Sequence, residues 1–185
     1  MNLKNKKIII IIGEVASGKG TTGKYIAKRY NGSFYPSSVI LKQILEKLEQ
    51  TVNRDNYINL STFLRTQFGD DYLVKPLSII FKNDENNLIV LDGLRKEKEI
   101  LSFKKLFDVK VIYIESSLEI RYKRLKARAE KADDAIKTFK EFKADHAKDT
   151  EKNILKFKKY ADFTIINESD IVNLHKELNN IQFFN

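Results

Sequence analysis

An unbroken run of five isoleucines, Ile8 to Ile12, constrains the fold of this chain more than any other feature. The run does not alternate between polar and apolar residues, so a strand formed by it must bury both of its faces. Similar apolar runs occur at residues 88–91, 109–114 and 163–166, and a fifth short strand is expected near residues 33–35. Strands of this kind are typical of a parallel sheet that is covered by helices on both sides.

Segments with helical periodicity separate these runs. Leu41, Leu45 and Leu48 illustrate the spacing in one segment, and Leu174 and Leu178 illustrate it in the last one. Strands that alternate with helices predict βαβ units with right-handed crossovers. We therefore expect an α/β fold of three layers, with a five-stranded parallel sheet flanked by helices. The length of 185 residues and the absence of a Gly/Ser/Pro-rich linker predict a single domain over residues 1–185.

The composition narrows the classes of function. The chain has no cysteine, which excludes disulfides, zinc–thiolate sites and thiol nucleophiles. Its 34 Lys and Arg against 25 Asp and Glu give a net charge of +9. A lysine-rich solvated surface would explain this charge, and so would attraction of anionic ligands. Because the positive charges are scattered, we expect small phosphorylated ligands rather than nucleic acid.

The apolar run near the start of the chain is too short for the hydrophobic part of a signal peptide or for a transmembrane helix. It covers Ile8 to Ile12 and stops at Gly13. No other apolar stretch approaches membrane-spanning length. The sequence therefore predicts a cytoplasmic protein that does not enter a membrane.

The isoleucine run leads directly into Gly13-Glu-Val-Ala-Ser-Gly18-Lys19, which has the G-x-x-x-x-G-K spacing of a Walker A loop. Glycines let such a loop turn its N–H groups inward around an anion, and the following helix adds its positive end. Lys19 is expected to reach the β- and γ-phosphates of ATP. The residues predicted to bind the nucleotide here are Gly13, Ala16, Ser17, Gly18, Lys19, Gly20, Thr21 and Thr22.

Gly20 stands where a Walker A loop normally has the Ser or Thr that binds magnesium, and Thr21 comes one position later. The run Gly-Lys-Gly-Thr resembles the loop of adenylate kinases and their relatives. That resemblance implies Mg²⁺ held mainly by phosphates and water, with Thr21 contacting phosphate. The same departure disfavours a GTPase switch, which needs a hydroxyl at the position of Gly20.

The second motif is an apolar strand that ends in Asp92-Gly93-Leu94-Arg95. A carboxylate at the carboxyl end of a parallel strand lies where ligands bind in open α/β sheets. Asp92 is therefore the Walker B candidate, and with Thr21 it is expected to order Mg²⁺ through water. The motif also resembles the Asp-Gly-Phe-Pro-Arg signature of adenylate kinases, although it is one residue shorter. This resemblance implies that Arg95 holds the phosphate of the acceptor.

Arg121, Arg124 and Arg128 are spaced so that they share one face of a helix. Three guanidinium groups on one face repel one another unless an anion lies among them, and phosphoryl transfer needs positive charge around the transferred group. A basic solvated helix is the alternative. We expect Lys19, Asp92, Arg124 and Arg128 to be catalytic and Arg121 to contact the nucleotide.

The segment from residue 129 to residue 146 resembles the short lid of nucleoside monophosphate kinases. The arginines that usually lie on the far side of such a lid are absent here. Lys137, Lys140 and Lys143 are the available substitutes.

Residues 37–75 stand where this kinase group carries its helical acceptor-binding region. Ser38 is expected to cap a helix and to donate to a phosphate, with Lys42 one turn further on. Arg65 lies in a stretch that resembles phage-type deoxynucleoside monophosphate kinases and archaeal adenylate-kinase-related proteins, some of them allied to dephospho-coenzyme A kinases. In the related enzymes the loop after the last strand passes the adenine ring, which predicts that Asn167 contacts the base.

The resemblance spans nearly the whole chain and implies ATP-dependent phosphoryl transfer to a nucleoside or deoxynucleoside monophosphate, with ADP and a diphosphate as products. A dephospho-coenzyme A kinase-like reaction on a hydroxyl is one alternative. A nucleotide-binding regulatory protein with weak ATPase activity is another. An assay of ADP formation with and without candidate acceptors separates the three.

Overall fold

The computed structural model describes residues 5–128, 136–146 and 154–183. Within these ranges five strands form one parallel sheet in the order β2-β3-β1-β4-β5. The strands are β1 Lys7–Gly13, β2 Ser33–Pro36, β3 Leu88–Asp92, β4 Asp108–Glu115 and β5 Phe163–Ile166. The strand that contains the isoleucine run lies at the centre, between β3 and β4. The predicted α/β fold with a five-stranded parallel sheet is confirmed.

Helices connect the strands. They are α1 Lys19–Arg29, α2 Val39–Lys47, α3 Arg54–Phe68, α4 Val74–Asn83, α5 Glu97–Leu106, α6 Leu118–Arg128, α7 Phe139–His146 and α8 Ile171–Asn179, with a 3₁₀ turn at Phe157–Tyr160. None of the helices in the described ranges is long and apolar enough to cross a membrane.

The central strand carries the core on both of its faces. Ile8, Ile10 and Ile12 pack into one apolar cluster with residues of α4 and α5, while Ile9 and Ile11 pack into a second cluster with residues of α1 and α8. All five isoleucines are at most 2% exposed. Burial on both faces is the reason why the run lacks alternation, and it fixes the position of the loop that follows β1.

One expectation about helix capping is wrong. Ser38 occupies the residue before α2, but its side chain makes no capping hydrogen bond. Its backbone is already helical, at φ −70° and ψ −4°, whereas a capping side chain reaches the next turn from an extended backbone. Asn53 before α3 and Asp170 before α8 have that extended backbone, and both side chains accept from the N–H three residues on.

The predicted lid lies partly outside the described residues, which omit 129–135. In the remainder, Phe142 of α7 is buried and its ring lies 5.8 Å from that of Tyr122 on α6. Lys137 Nζ is 2.8 Å from Asp145 Oδ2, whereas Lys140 and Lys143 are exposed. Lys137 is thus held by an acidic neighbour. The lid itself stays a prediction.

Candidate phosphate-binding site

The loop between β1 and α1 turns sharply at its glycines. Gly18 has φ +102°, a left-handed conformation that residues with a Cβ rarely adopt. A Cβ at Gly18 would lie 2.4 Å from Asn167 Nδ2, and a Cβ at Gly13 would lie 2.4 Å from the Ile114 carbonyl oxygen. Glycine is therefore required at both positions, because the loop lies close against the carboxyl ends of β4 and β5.

The polar side chains of this loop differ in their surroundings. Lys19 Nζ donates to the Glu14 carbonyl oxygen at 2.8 Å, which folds the amine back over the loop. Ser17 Oγ is buried and has no hydrogen-bond partner among the described residues. Thr21 is exposed, whereas Thr22 is fully buried. A buried, unpaired hydroxyl beside a glycine-rich turn fits an anionic ligand, because such a group otherwise costs free energy.

Asp92 lies beside this loop, at the carboxyl end of β3 and paired in register with Ile11 of β1. Its Oδ1 atom is buried and makes no hydrogen bond within residues 5–128, 136–146 and 154–183. Burial raises the pKa of Asp92, while the positive charges of Lys19 and Arg95 act in the opposite direction. The structure thus brings Lys19 and Arg95 within electrostatic reach of Asp92.

The donor set at Asp92 fits Mg²⁺ only in part. Within the described part of the chain, no group of three or more His, Cys, Asp or Glu residues is placed to hold a metal ion. Oxygen ligands suit magnesium, which usually keeps several waters and is completed by substrate phosphates. The unpaired Asp92 oxygen fits such a site, with the remaining ligands coming from phosphate and water.

Arg121 on α6 is buried against the loop between β1 and α1 and holds it through several hydrogen bonds. Its side chain is 3% exposed, and its Nη2 lies 3.0 Å from Glu14 Oε1. Its Nε donates to the Ser116 carbonyl at 3.1 Å, and its Nη1 donates to the Val15 carbonyl at 3.3 Å. Glu14 therefore balances the charge that we expected an anion to balance. The expected contact between Arg121 and the nucleotide stays a prediction.

Arg124 ties α6 to the loop that follows β5. Its Nη1 donates to Ser116 Oγ at 3.0 Å and to the Asn167 carbonyl at 2.9 Å, and its Nη2 donates to Asn167 Oδ1 at 3.1 Å. Asn167 is 4% exposed and donates from Nδ2 to the Ser17 carbonyl at 2.8 Å. Asn167 thus lies against the loop of residues 13–18, hereafter the phosphate loop, and both ends of its amide are bonded to the protein. Its contact with the base stays a prediction. Arg128, at the end of α6, is exposed.

We expect Arg128→Ala to lower the turnover number by ~10³-fold and to change ATP affinity little, because a charge aimed at the transition state acts on rate. Arg124→Ala should lower turnover as well, and its lost hydrogen bonds to Asn167 should also lower the melting temperature. Steady-state kinetics and thermal unfolding of both variants check this. Raised Michaelis constants for ATP with unchanged turnover in both would contradict the catalytic roles.

The predicted acceptor residues differ in their surroundings. Arg95 is exposed, in the loop between β3 and α5, and acts electrostatically on Asp92. Arg65 on α3 donates from Nη1 to Ser61 Oγ at 3.2 Å, and its Nε lies 3.6 Å from Asp70. Lys42 on α2 pairs with Glu46 at 3.6 Å. Of these three predicted acceptor residues, Arg95 is therefore the one whose charge acts on Asp92.

Sequence reasoning missed Ser37, the immediate neighbour of Ser38. Ser37 is 5% exposed, and its backbone N–H donates to the Asp92 carbonyl at 2.7 Å. A Cβ at Gly93 would lie 2.9 Å from Ser37 Oγ, so this serine packs against the Asp-Gly turn. Its position directly after β2, which pairs with β3, was the available signal.

Residues 9–152 match the family model described as an AAA domain, AAA_18. The chain belongs to this family. A UPF0200 protein of Methanococcus vannielii is 29% identical over 178 residues, covering 95% of this chain and 94% of the relative. A UPF0200 protein of Sulfurisphaera tokodaii is 28% identical over 165 residues, covering 89% of each. The name UPF0200 states no activity.

Solved structures show the same fold for this family member. TT1252 from Thermus thermophilus has a TM-score of 0.64 at 17% identity, over 95% of this chain and 96% of that one. A shikimate kinase from Bacteroides thetaiotaomicron gives 0.54 at 16%, over 95% and 99%. A gluconokinase from Sinorhizobium meliloti gives 0.51 at 10%, over 94% and 90%. These likenesses show the fold of the chain and do not single out nucleoside monophosphate kinases.

Proposed function

We propose that this chain transfers the γ-phosphoryl group of ATP to a small phosphorylated acceptor, a nucleoside or deoxynucleoside monophosphate. One observation carries the proposal: Asp92 ends β3 beside the strand that leads into the phosphate loop, and the charges of Lys19 and of Arg95 both act on its carboxylate. One of these cations would face the phosphates of ATP and the other would face the phosphate of the acceptor. Such an arrangement suits a site in which two phosphates must approach each other.

The donor side supplies positive charge to the phosphates of ATP. The N–H groups of the loop, the start of α1 and Lys19 face the anion, and Arg128 adds charge from the end of α6. Mg²⁺, when bound near Asp92, would neutralise phosphate oxygens further. Phosphoryl transfer then rests on positioning and charge stabilisation and needs no covalent intermediate with the protein.

The acceptor side is formed by residues 37–75 together with the loop that carries Arg95. Arginine suits this role because its planar group engages two phosphate oxygens at once. Lys42 and Arg65 are additional cations of this region, and each has an acidic neighbour, Glu46 and Asp70 respectively. An acceptor phosphate would have to compete with these carboxylates, so we assign the main contact to Arg95.

We expect Arg95→Lys to weaken monophosphate binding and Arg95→Ala to weaken it further, by about 1.5–3 kcal/mol, because a charge-assisted hydrogen-bonding group is lost. Affinity for an ATP analogue should change little in either variant. Isothermal titration with both ligands measures this. Lys98→Ala, which removes an exposed cation three residues further along, is the matched control. Equal effects of Arg95→Ala and Lys98→Ala would show that Arg95 has no special role.

A hydroxyl acceptor is the second candidate, and the state of Asp92 favours it. Burial raises the pKa of Asp92, and its Oδ1 makes no hydrogen bond among the described residues, so the carboxylate is a better base than one in water. Two structural neighbours, shikimate kinase and gluconokinase, are named for acceptors other than nucleotides. Binding of dephospho-coenzyme A without binding of any monophosphate would favour this candidate.

A further inference from the structure

Glu99 is a fully buried carboxylate that the proposed reaction does not use. It lies in the first turn of α5 and is 0% exposed. Its Oε2 accepts from the backbone N–H of Arg95 at 2.8 Å and from that of Lys96 at 3.0 Å. The two amides of the loop that presents Arg95 are therefore held by one oxygen atom.

Helix capping alone does not explain why this carboxylate is buried. A glutamate in the first turn can accept from the N–H groups before the helix while it remains in water. Removing an ionised carboxylate from water costs free energy unless it is paired. Burial raises the pKa of Glu99 even though its two hydrogen bonds act in the opposite direction. The interior position thus has an energetic cost that a plain cap would avoid.

Arg65 on α3 is a positive charge that acts on this buried carboxylate. Its charge stabilises the ionised form of Glu99. Arg65 Nε and Glu99 Oε1 are both buried atoms without a hydrogen-bond partner in the described ranges. The guanidinium lies over the ring of Tyr72, 5.4 Å from its centre, and the charges of Arg65 and Glu99 both act on the Tyr72 hydroxyl. Arg65 thus lies within electrostatic reach of Glu99.

Asp70 connects the same two parts of the chain from outside. Its Oδ1 lies 3.6 Å from Arg65 Nε and 3.5 Å from Lys96 Nζ. The loop with Arg95 is therefore joined to α3 through Asp70 at the half-exposed surface, while Glu99 holds the same loop from the interior.

We propose that Glu99 is a positioning residue for acceptor recognition, which fixes the backbone at Arg95. This inference rests on the proposed function, since it assumes that Arg95 binds the acceptor phosphate. Glu99 does not touch the acceptor. Its effect passes through the loop that it holds, so it should alter acceptor affinity and leave the phosphate loop unchanged.

The test compares Glu99→Gln and Glu99→Ala with the unaltered chain, using AMP, dTMP and an ATP analogue as ligands. We expect Glu99→Ala to raise the Kd and KM for the monophosphate that binds by ~10-fold or more, since two hydrogen bonds to a charged group are lost. Glu99→Gln, which keeps one acceptor oxygen, should have a smaller effect. The Kd for the ATP analogue should stay within about twofold, because the phosphate loop is untouched. Glu97→Gln, at an exposed glutamate of the same helix, is the control.

A double-mutant cycle separates positioning from general loosening of the fold. In an Arg95→Ala background, Glu99→Gln should change monophosphate affinity by less than about twofold, because its effect passes through Arg95. An equal loss in both backgrounds, or an equal loss of affinity for monophosphate and ATP analogue, overturns the proposal.

Amide hydrogen exchange, measured without any acceptor, tests whether Glu99 holds the loop that carries Arg95. The amide hydrogens of Arg95 and Lys96 should exchange faster in Glu99→Gln, while those of β1 keep their protection. Unchanged exchange at both amides overturns the proposal. If the unaltered chain binds no monophosphate, the proposed function fails, and the exchange result still decides whether Glu99 holds this loop.

Discussion

Lys19→Ala should lower the rate of phosphoryl transfer by ~10³-fold or more, because it removes the cation that faces the β- and γ-phosphates. Thermal stability should change little, since Lys19 stands at the start of α1 and is only half-buried. The measurement is the initial rate of ADP formation together with thermal unfolding of both proteins.

Lys24→Ala is the control for this change, because Lys24 is exposed on the same helix. It removes the same charge from the protein and should keep the normal rate. A rate for Lys19→Ala close to that of Lys24→Ala would remove the assignment of the phosphate loop.

Arg121→Ala should cost about 3–5 kcal/mol of stability, since it leaves Glu14 as a buried charge without its partner. For a chain of this size that loss corresponds to a fall in melting temperature of roughly 6–20 °C. The two side chains are 3% and 6% exposed and their charged atoms are 3.0 Å apart. Denaturant unfolding of the variant measures the free energy directly.

Replacing both partners should be less damaging than the two single changes added together, because no charge is then left unpaired. Lys123→Ala, at an exposed position of α6, gives the background effect of removing a cation from this helix. A loss below about 1 kcal/mol for Arg121→Ala would mean that the Glu14–Arg121 pair does not brace the loop.

The fold was predictable because its strands are buried on both faces. Such strands appear in the sequence as continuous apolar runs, and the run at β1 ends directly at a loop with recognisable glycine and lysine spacing. Register could not be predicted, since uniform apolar strands pair equally well in several alignments. The proximity of Asp92 to Lys19 was therefore predictable from the position of Asp92 at the carboxyl end of a parallel strand. The pairing register of β3 was not needed for it.

The partners of the arginines could not be predicted from their spacing. Arg121 and Arg124 follow the same helical periodicity, yet Arg121 pairs with Glu14, 107 positions away, and Arg124 binds Asn167, 43 positions away. Periodicity shows which residues share a helix face, but it does not show which residues that face contacts. Glu99 was missed for a related reason: in a helix start rich in Glu and Lys, an acidic residue is normally solvated.

Phosphorus NMR of a reaction mixture tests the central claim most directly. The mixture contains the unaltered chain, ATP, Mg²⁺ and, in turn, nucleoside monophosphates, deoxynucleoside monophosphates and dephospho-coenzyme A. The proposed function predicts that ADP and a nucleoside diphosphate appear in equal amounts with at least one monophosphate, and that neither appears with the Lys19→Ala protein. ADP and inorganic phosphate formed at the same rate with or without every acceptor would contradict it, and so would phosphorylation of dephospho-coenzyme A alone.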